Sequence, residues 1–264
     1  AIGLRPVLCG NIKGFHNVRR NPTTQLDFAR ATKQNPRMVT SFCDGTKVSF
    51  EMAVVANATG MVCQKREMNG PDVDCHVDDA HEAFDLSETM KDGHPGFVDY
   101  IVMAKPNKPP GGIFVLGYLD DPKQAHYFKY YKMGDGPIYT FYTPYHLCHF
   151  EVALSCARAV LFKDPVCTPL AGPKVDVITK CKKDLKAGEA LDGIGGYNTY
   201  GVAENSDECR TERHLPMGLS HGCILKRDMA MDELVTFDDV ELPRERICDD
   251  LWREQDAVFF SDVK

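Results

Sequence analysis

The sequence predicts an α+β fold: an open mixed sheet with helices over residues 1–164, followed by a small all-β domain over 165–264. Three observations predict it. Strand-like apolar runs flank a Pro/Gly-rich turn in the first half, two helical periodicities lie on either side of them, and near residue 163 the pattern changes to short runs broken by glycine. A chain of 264 residues is long enough for one sizeable core plus a smaller one.

The elements follow in order. AIGLRPVL reads as a short strand, and CGNIKGFHNVRRNPTT (9–24) then crowds Asn11, Lys13, His16, Asn17, Arg19, Arg20 and Asn21 around Gly14. A loop so rich in cations and amides suits an anionic or polyhydroxylated ligand. Asp44-Gly45-Thr46 starts a helix predicted over about 46–59, with Val48, Met52 and Val55 at i, i+4 and i+7, small Ala53, Ala56 and Ala58, and Gly60 as the stop. Residues 61–96 are acidic and irregular, with a short helix near Asp78–Leu86. Strands are predicted at about 98–104 and 113–118, joined by KPNKPPGG. Thr143-Pro144 reads as N-cap and N1 of a second helix, in which Leu147, Phe150, Leu154, Ala157 and Leu161 recur at helical spacing. Tyr139, Phe141, Tyr142 and Tyr145 cluster at its entrance. FKDPVCTPLAGP is a connector, and a turn is predicted at Lys186-Ala187-Gly188.

Composition narrows the function classes. A net charge of −7 and a pI of about 5.7 argue against non-specific nucleic-acid binding, which needs a basic face. No apolar run approaches a membrane span, and no signal peptide is visible, so no membrane partner is expected. The 11 cysteines form no CxxC pair, and Cys9, Cys148, Cys156 and Cys223 sit in apolar stretches. This pattern reads as buried, reduced thiols and a cytoplasmic protein.

Several residues could carry chemistry. Lys13, beside Gly14, can polarise a carbonyl or hold a carboxylate or phosphate, or be a solvated loop lysine. Arg19 and Arg20 suit a bidentate phosphate clamp or a surface pair. Lys47 and Glu51 share one helix face after Asp44, as a proton shuttle or as an ordinary helix ion pair. Tyr142, Tyr145, His146 and His149 gather near the second helix. They can bind substrate, hold a divalent metal with Glu151 or Asp44, or simply pack; no HExxH is present. Asp192, Tyr197, Asn198, Tyr200, His221, Lys226 and Arg227 are sugar-binding or structural candidates.

DLKAGEALDGIGG (184–196), LPMGLSHGCILKRD (215–228) and LVTFDDVELP (234–243) resemble the SAF domain, a β-clip, antifreeze-like module. GNIKGFHNVRRNPTT, MVTSFCDGTKVSFEMAVVANATG and FYTPYHLCHFEVALSCARAVLF resemble homoserine dehydrogenase-like oxidoreductases that carry it, including a branch similar to 1-deoxy-D-xylulose 5-phosphate reductoisomerase. The resemblance implies a catalytic and dimerisation domain over 1–164, a SAF-like β domain with a C-terminal tail over 165–264 and a homodimer. It implies NADPH or NAD as cofactor, bound mainly by a Rossmann domain lying before CGNIKG, since no strand–GxGxxG–helix occurs here. Gly10 and Gly14 would then face the nicotinamide. Lys13, Asp44, Lys47 and Glu51 become the catalytic set; Asn11, Arg19, Arg20, Tyr142, Tyr145, His146 and His149 bind substrate. Homoserine dehydrogenases order their acidic residue, glycine and lysine differently, which points away from homoserine. The implied substrate is a small polyhydroxylated acid, ketose or sugar phosphate, reduced or isomerised. Two other classes stand beside this: a non-catalytic binding or oligomerisation module, and a metal-dependent lyase or hydrolase using His146 and His149.

Overall fold

The computed structural model describes residues 2–103, 111–145, 147–169 and 172–261. In chain order its main elements are β1 (Arg5–Lys13), α1 (Leu26–Thr32), α2 (Pro36–Cys43), α3 (Thr46–Thr59), β2 (Phe97–Val102), β3 (Gly111–Tyr118), α4 (Pro122–Tyr130), β4 (Ile138–Thr143), α5 (Cys148–Phe162), β5 (Val175–Cys181), β6 (Thr199–Asn205), α6 (Ser206–Thr211), β7 (Ile224–Leu225), β8 (Val240–Glu241) and α7 (Ile247–Phe259). They fall into two compact units. One holds Ala1–Phe15, Val55–Gln64 and Met68–Ala171; the other holds His16–Val54, Lys65–Glu67 and Gly172–Lys264. These units cut across the sequence segments 1–164 and 165–264.

The first unit is built on a four-stranded sheet in the order β2-β1-β3-β4. β1 pairs parallel with β2 and antiparallel with β3, which pairs antiparallel with β4. The architecture is therefore α+β with an open mixed sheet. Val7, Leu8, Ile12, Phe97, Ile101, Phe114 and Leu116 from the strands form its core with Val77 and Ala80 of a 3₁₀ turn, Val77–Ala83. That turn takes the place of the helix expected near Asp78–Leu86. All six residues of β2 are buried, including Asp99. The Asp99 carboxylate accepts hydrogen bonds from Asn69 N and Nδ2, Gly70 N and Tyr100 N at 2.8–3.1 Å, tying the 69–70 loop to the sheet. Burial still pushes its pKa above the ordinary aspartate value.

The second unit pairs β5 with β6 and β7 with β8, both antiparallel. Leu185, Leu191, Leu215, Cys223, Leu225, Val235 and Val240 form its larger core. Gly188, at a φ of +86°, makes the expected turn, where Glu189 N donates to Lys186 O at 3.0 Å. Residues 165–264 are not all-β. α6 and α7 interrupt the pattern, and α7 forms because acidic Asp249 and Asp250 suit its first turn while Cys248 and Trp252 pack on the core.

α3 occupies the predicted 46–59, and Gly60 follows at a φ of +84°. The second predicted helix begins later than its sequence signal. Thr143 stays in β4, paired with Ile113, so Thr143-Pro144 is not the cap; Leu147 precedes α5 instead. No residue of α5 is buried, so its apolar spacing does not face a core. The cysteine reading also changes. Cys223 is buried and Cys9 half-buried, but Cys148 and Cys156 are exposed on α5. Burial pushes the Cys9 thiol up to about 11. KPNKPPGG lies mostly outside the described residues. Among the described residues, no helix is long and apolar enough to cross a membrane.

Gly10 sits mid-strand in β1, where an added Cβ would lie 2.4 Å from the Phe114 ring. Gly10→Ala is expected to destabilise the protein by about 1–3 kcal/mol through overpacking, read by urea denaturation. Phe114→Leu in the same chain should recover part of the loss, and a neutral Gly10→Ala would refute this packing role.

Candidate functional site

Asp44 joins α2 to α3. Its backbone N–H donates to Thr40 O at 2.9 Å, closing α2, and its Oδ1 accepts from Thr46 N at 3.0 Å, opening α3. Between them Gly45 adopts a φ of +90°, with the His16 ring packed where a side chain would project. An aspartate, a left-handed glycine and a small residue are what this tight junction requires.

The second oxygen of Asp44 meets Lys182, which follows β5. The Lys182 ammonium donates to Asp44 Oδ2 at 2.9 Å, to Arg20 O at 2.8 Å and to Gly196 O at 2.9 Å. An ammonium has three donors, and all three are used. The side chains are 3% and 0% exposed, so this is a buried ion pair. Thr46 Oγ1 accepts from Gly201 N at 2.9 Å, tying the start of α3 to β6.

Around this centre the loop after β1 is held down. Arg19 donates to Lys182 O at 3.0 Å and pairs with Asp232. Tyr200 OH donates to the same carboxylate at 2.9 Å. Hydrogen bonding by Arg19 holds Asp232 below the ordinary aspartate value, and burial keeps the Tyr200 phenol protonated by raising its pKa. Thr23 Oγ1 and Tyr197 OH lie 3.0 Å apart. Asp192 accepts from Tyr197 N and Asn198 N, and Arg37 donates to Asp192 O and Ile194 O.

On the first turn of α3, Lys47 pairs with Glu51 in the predicted i, i+4 relation. The side chains are 38% and 31% exposed, so the pair meets solvent while Asp44 does not. The Lys47 ammonium also lies 5.1 Å from the centre of the Phe42 ring, a cation–π contact. A donor and an acceptor held together at an accessible helix N-terminus can pass a proton to or from a bound oxygen.

The second unit thus brings Arg19, Arg20, Asp44, Lys47 and Glu51 into one body with the candidates beyond residue 190, whereas Asn11, Lys13, Tyr142, Tyr145, His149 and Glu151 belong to the first unit. Lys13 ends β1, and its carbonyl accepts from Met103 N at 2.7 Å; Gly14 follows at a bend. Asn11 is buried within β1, opposite Tyr100 and Ile113. Tyr142 lies in β4 with its ring edge-on to His76 at 5.7 Å, while Tyr145, His149 and Glu151 are exposed. His146 lies outside the described residues. Among the described residues, no group of three or more His, Cys, Asp and Glu side chains could hold a metal. At Gly10 an added Cβ would meet the Phe114 ring, so close packing within the sheet accounts for the glycine there.

Sequence reasoning missed Lys182, Thr46 and Asp232. Lys182 lies in TKCKKDLK, where four lysines look alike and only the distant Asp44, Arg20 and Gly196 single one out. Of the candidates beyond residue 190, several serve local structure: Asn198 Nδ2 donates to Ala190 O, Lys226 to Asp238 O, and Arg227 pairs with Asp239 and Glu233. His221 Nδ1 lies 3.3 Å from Asp192 O.

Residues 1–152 match the family described as oxidoreductase DRL, catalytic domain, and the chain belongs to that family. The matched segment contains Arg19, Arg20, Asp44, Lys47 and Glu51, and Lys182 lies beyond it. No curated protein matches the sequence.

The Arg19–Asp232 pair gives a pH signature. Because the folded pKa of Asp232 is lowered, its contribution is complete above the ordinary aspartate value and is lost as pH falls through the lower folded one. The stability difference between wild type and Asp232→Asn should therefore be largest near neutrality and shrink in acid, as followed by denaturant titration at several pH values. A difference independent of pH would contradict the assignment.

Proposed function

We propose that this oxidoreductase catalytic domain works with a nicotinamide cofactor on a small polyhydroxylated substrate. The favoured class is a phosphorylated ketose of the 1-deoxy-D-xylulose 5-phosphate type, rearranged and reduced; a sugar acid, oxidised or isomerised, is the other member of the class. The observation that carries the reading is the Lys47–Glu51 pair, accessible to solvent, at the start of α3 within the family-matched segment. Lys47 donates to the substrate oxygen on which negative charge develops, and Glu51 holds the proton that is exchanged. The positive end of α3 supports an anionic oxygen at the same place. Asp44 orients the turn that carries Lys47 rather than meeting substrate.

NADPH or NADH would supply the hydride in reduction, and oxidised NADP or NAD would accept it in the reverse sense. The reading assigns binding of the cofactor mainly to a domain outside Ala1–Lys264. A homodimer, a SAF-type module over 165–264 and a cytoplasmic location belong to the same reading and rest on sequence resemblance.

The test is oxidation of NADPH or NADH by the native full-length protein with 1-deoxy-D-xylulose 5-phosphate, and reduction of NADP or NAD with sugar acids. Lys47→Met should lower kcat by about 10²–10⁴-fold, the range of a lost acid–base group, with the KM for cofactor unchanged. Undiminished turnover in Lys47→Met would overturn the assignment.

A further inference from the structure

Arg20, Asp44 and Gly196 come from three segments distant in sequence, yet each gives one acceptor to the same ammonium. Lys182 is also fixed through its main chain, since its N–H donates to Asn198 O at 2.8 Å and its carbonyl accepts from Arg19. Its freedom to shift is therefore small. A displacement of the ammonium must be shared by the loop after β1, the α2–α3 junction and the GIGG loop. Lys47 lies one residue beyond Thr46, whose N–H and hydroxyl are both held, by Asp44 and by Gly201.

We infer that Lys182 is a positioning residue: its buried ammonium sets, together, the first turn of α3 that carries Lys47 and the backbone of the loop that carries Arg19 and Arg20. The inference rests on the acid–base role proposed for Lys47. A stabilising role alone is a weaker account of the same contact. Burying two charges costs several kcal/mol per ion, and well-packed apolar residues are often as stable or more so. What an ammonium adds, and an apolar side chain cannot, is the simultaneous orientation of three acceptors from three segments.

The experiment compares wild type, Lys182→Met and Asp44→Asn in the native full-length protein. Asp44→Asn keeps an acceptor and removes only the charge, so it serves if Lys182→Met does not fold. Hydrogen–deuterium exchange is followed over residues 16–24 and 44–51, and kcat and KM are measured with NADPH and 1-deoxy-D-xylulose 5-phosphate. The expected result is faster exchange in both segments together. It is accompanied by a fall in kcat of up to about 10²-fold, as a small misplacement of a catalytic group produces, with the KM for NADPH unchanged. Faster exchange confined to one segment, or unchanged kcat in a variant that exchanges faster in both, would overturn the inference. An inactive wild type would remove the acid–base reading of Lys47 and with it the positioning role, while the exchange data alone would still decide whether Lys182 couples the two segments.

Discussion

A single buried ammonium is the constraint on which the polar half of this molecule depends. Lys182 spends its three donors on Asp44, Arg20 and Gly196, and its contacts to Asp44 and Gly196 are buried. The chain could not leave such a charge unpaired, because breaking a buried pair costs about 3–5 kcal/mol. The requirement propagates outward. Asp44 must cap α3, Gly45 must turn left-handed, and the loop from His16 must lie against β5 and β6.

Burial divides the acidic and basic groups into two kinds. Asp44 and Lys182 are shut in and fully engaged, so their work is orientation. Lys47 and Glu51 are paired but accessible, so they can meet a ligand. This division by exposure, more than the presence of the residues, is the basis on which we propose proton transfer at α3. The family to which the chain belongs is an oxidoreductase family, and the pair lies inside its matched segment.

The parts of the fold legible in the sequence were those set by local spacing. α3 was visible because Val48, Met52 and Val55 repeat at helical spacing and Gly60 stops them. β3 was visible because an apolar run follows a Pro- and Gly-rich stretch of sequence. Thr143 misled, since pairing with Ile113 outweighed its capping potential, and α7 was hidden in a charged tail. In the site, Lys47–Glu51 is a four-residue relation and was readable. Lys182–Asp44 spans 138 residues, and nothing local separates Lys182 from Lys180 and Lys183. Gly10 shows a packing reason that sequence spacing could not give: the Phe114 ring lies where its side chain would be.

The most direct test of the account is the side-chain ammonium signal of Lys182 in a ¹⁵N-labelled sample, observed by NMR at neutral pH. A buried ammonium with all three donors engaged should give a slowly exchanging ¹H–¹⁵N resonance, with through-space contacts to Gly196 and to the backbone near Arg20. If the Lys182 ammonium exchanges with water as fast as surface lysines such as Lys186, the buried centre does not exist in solution, and the account of the site built on it is wrong.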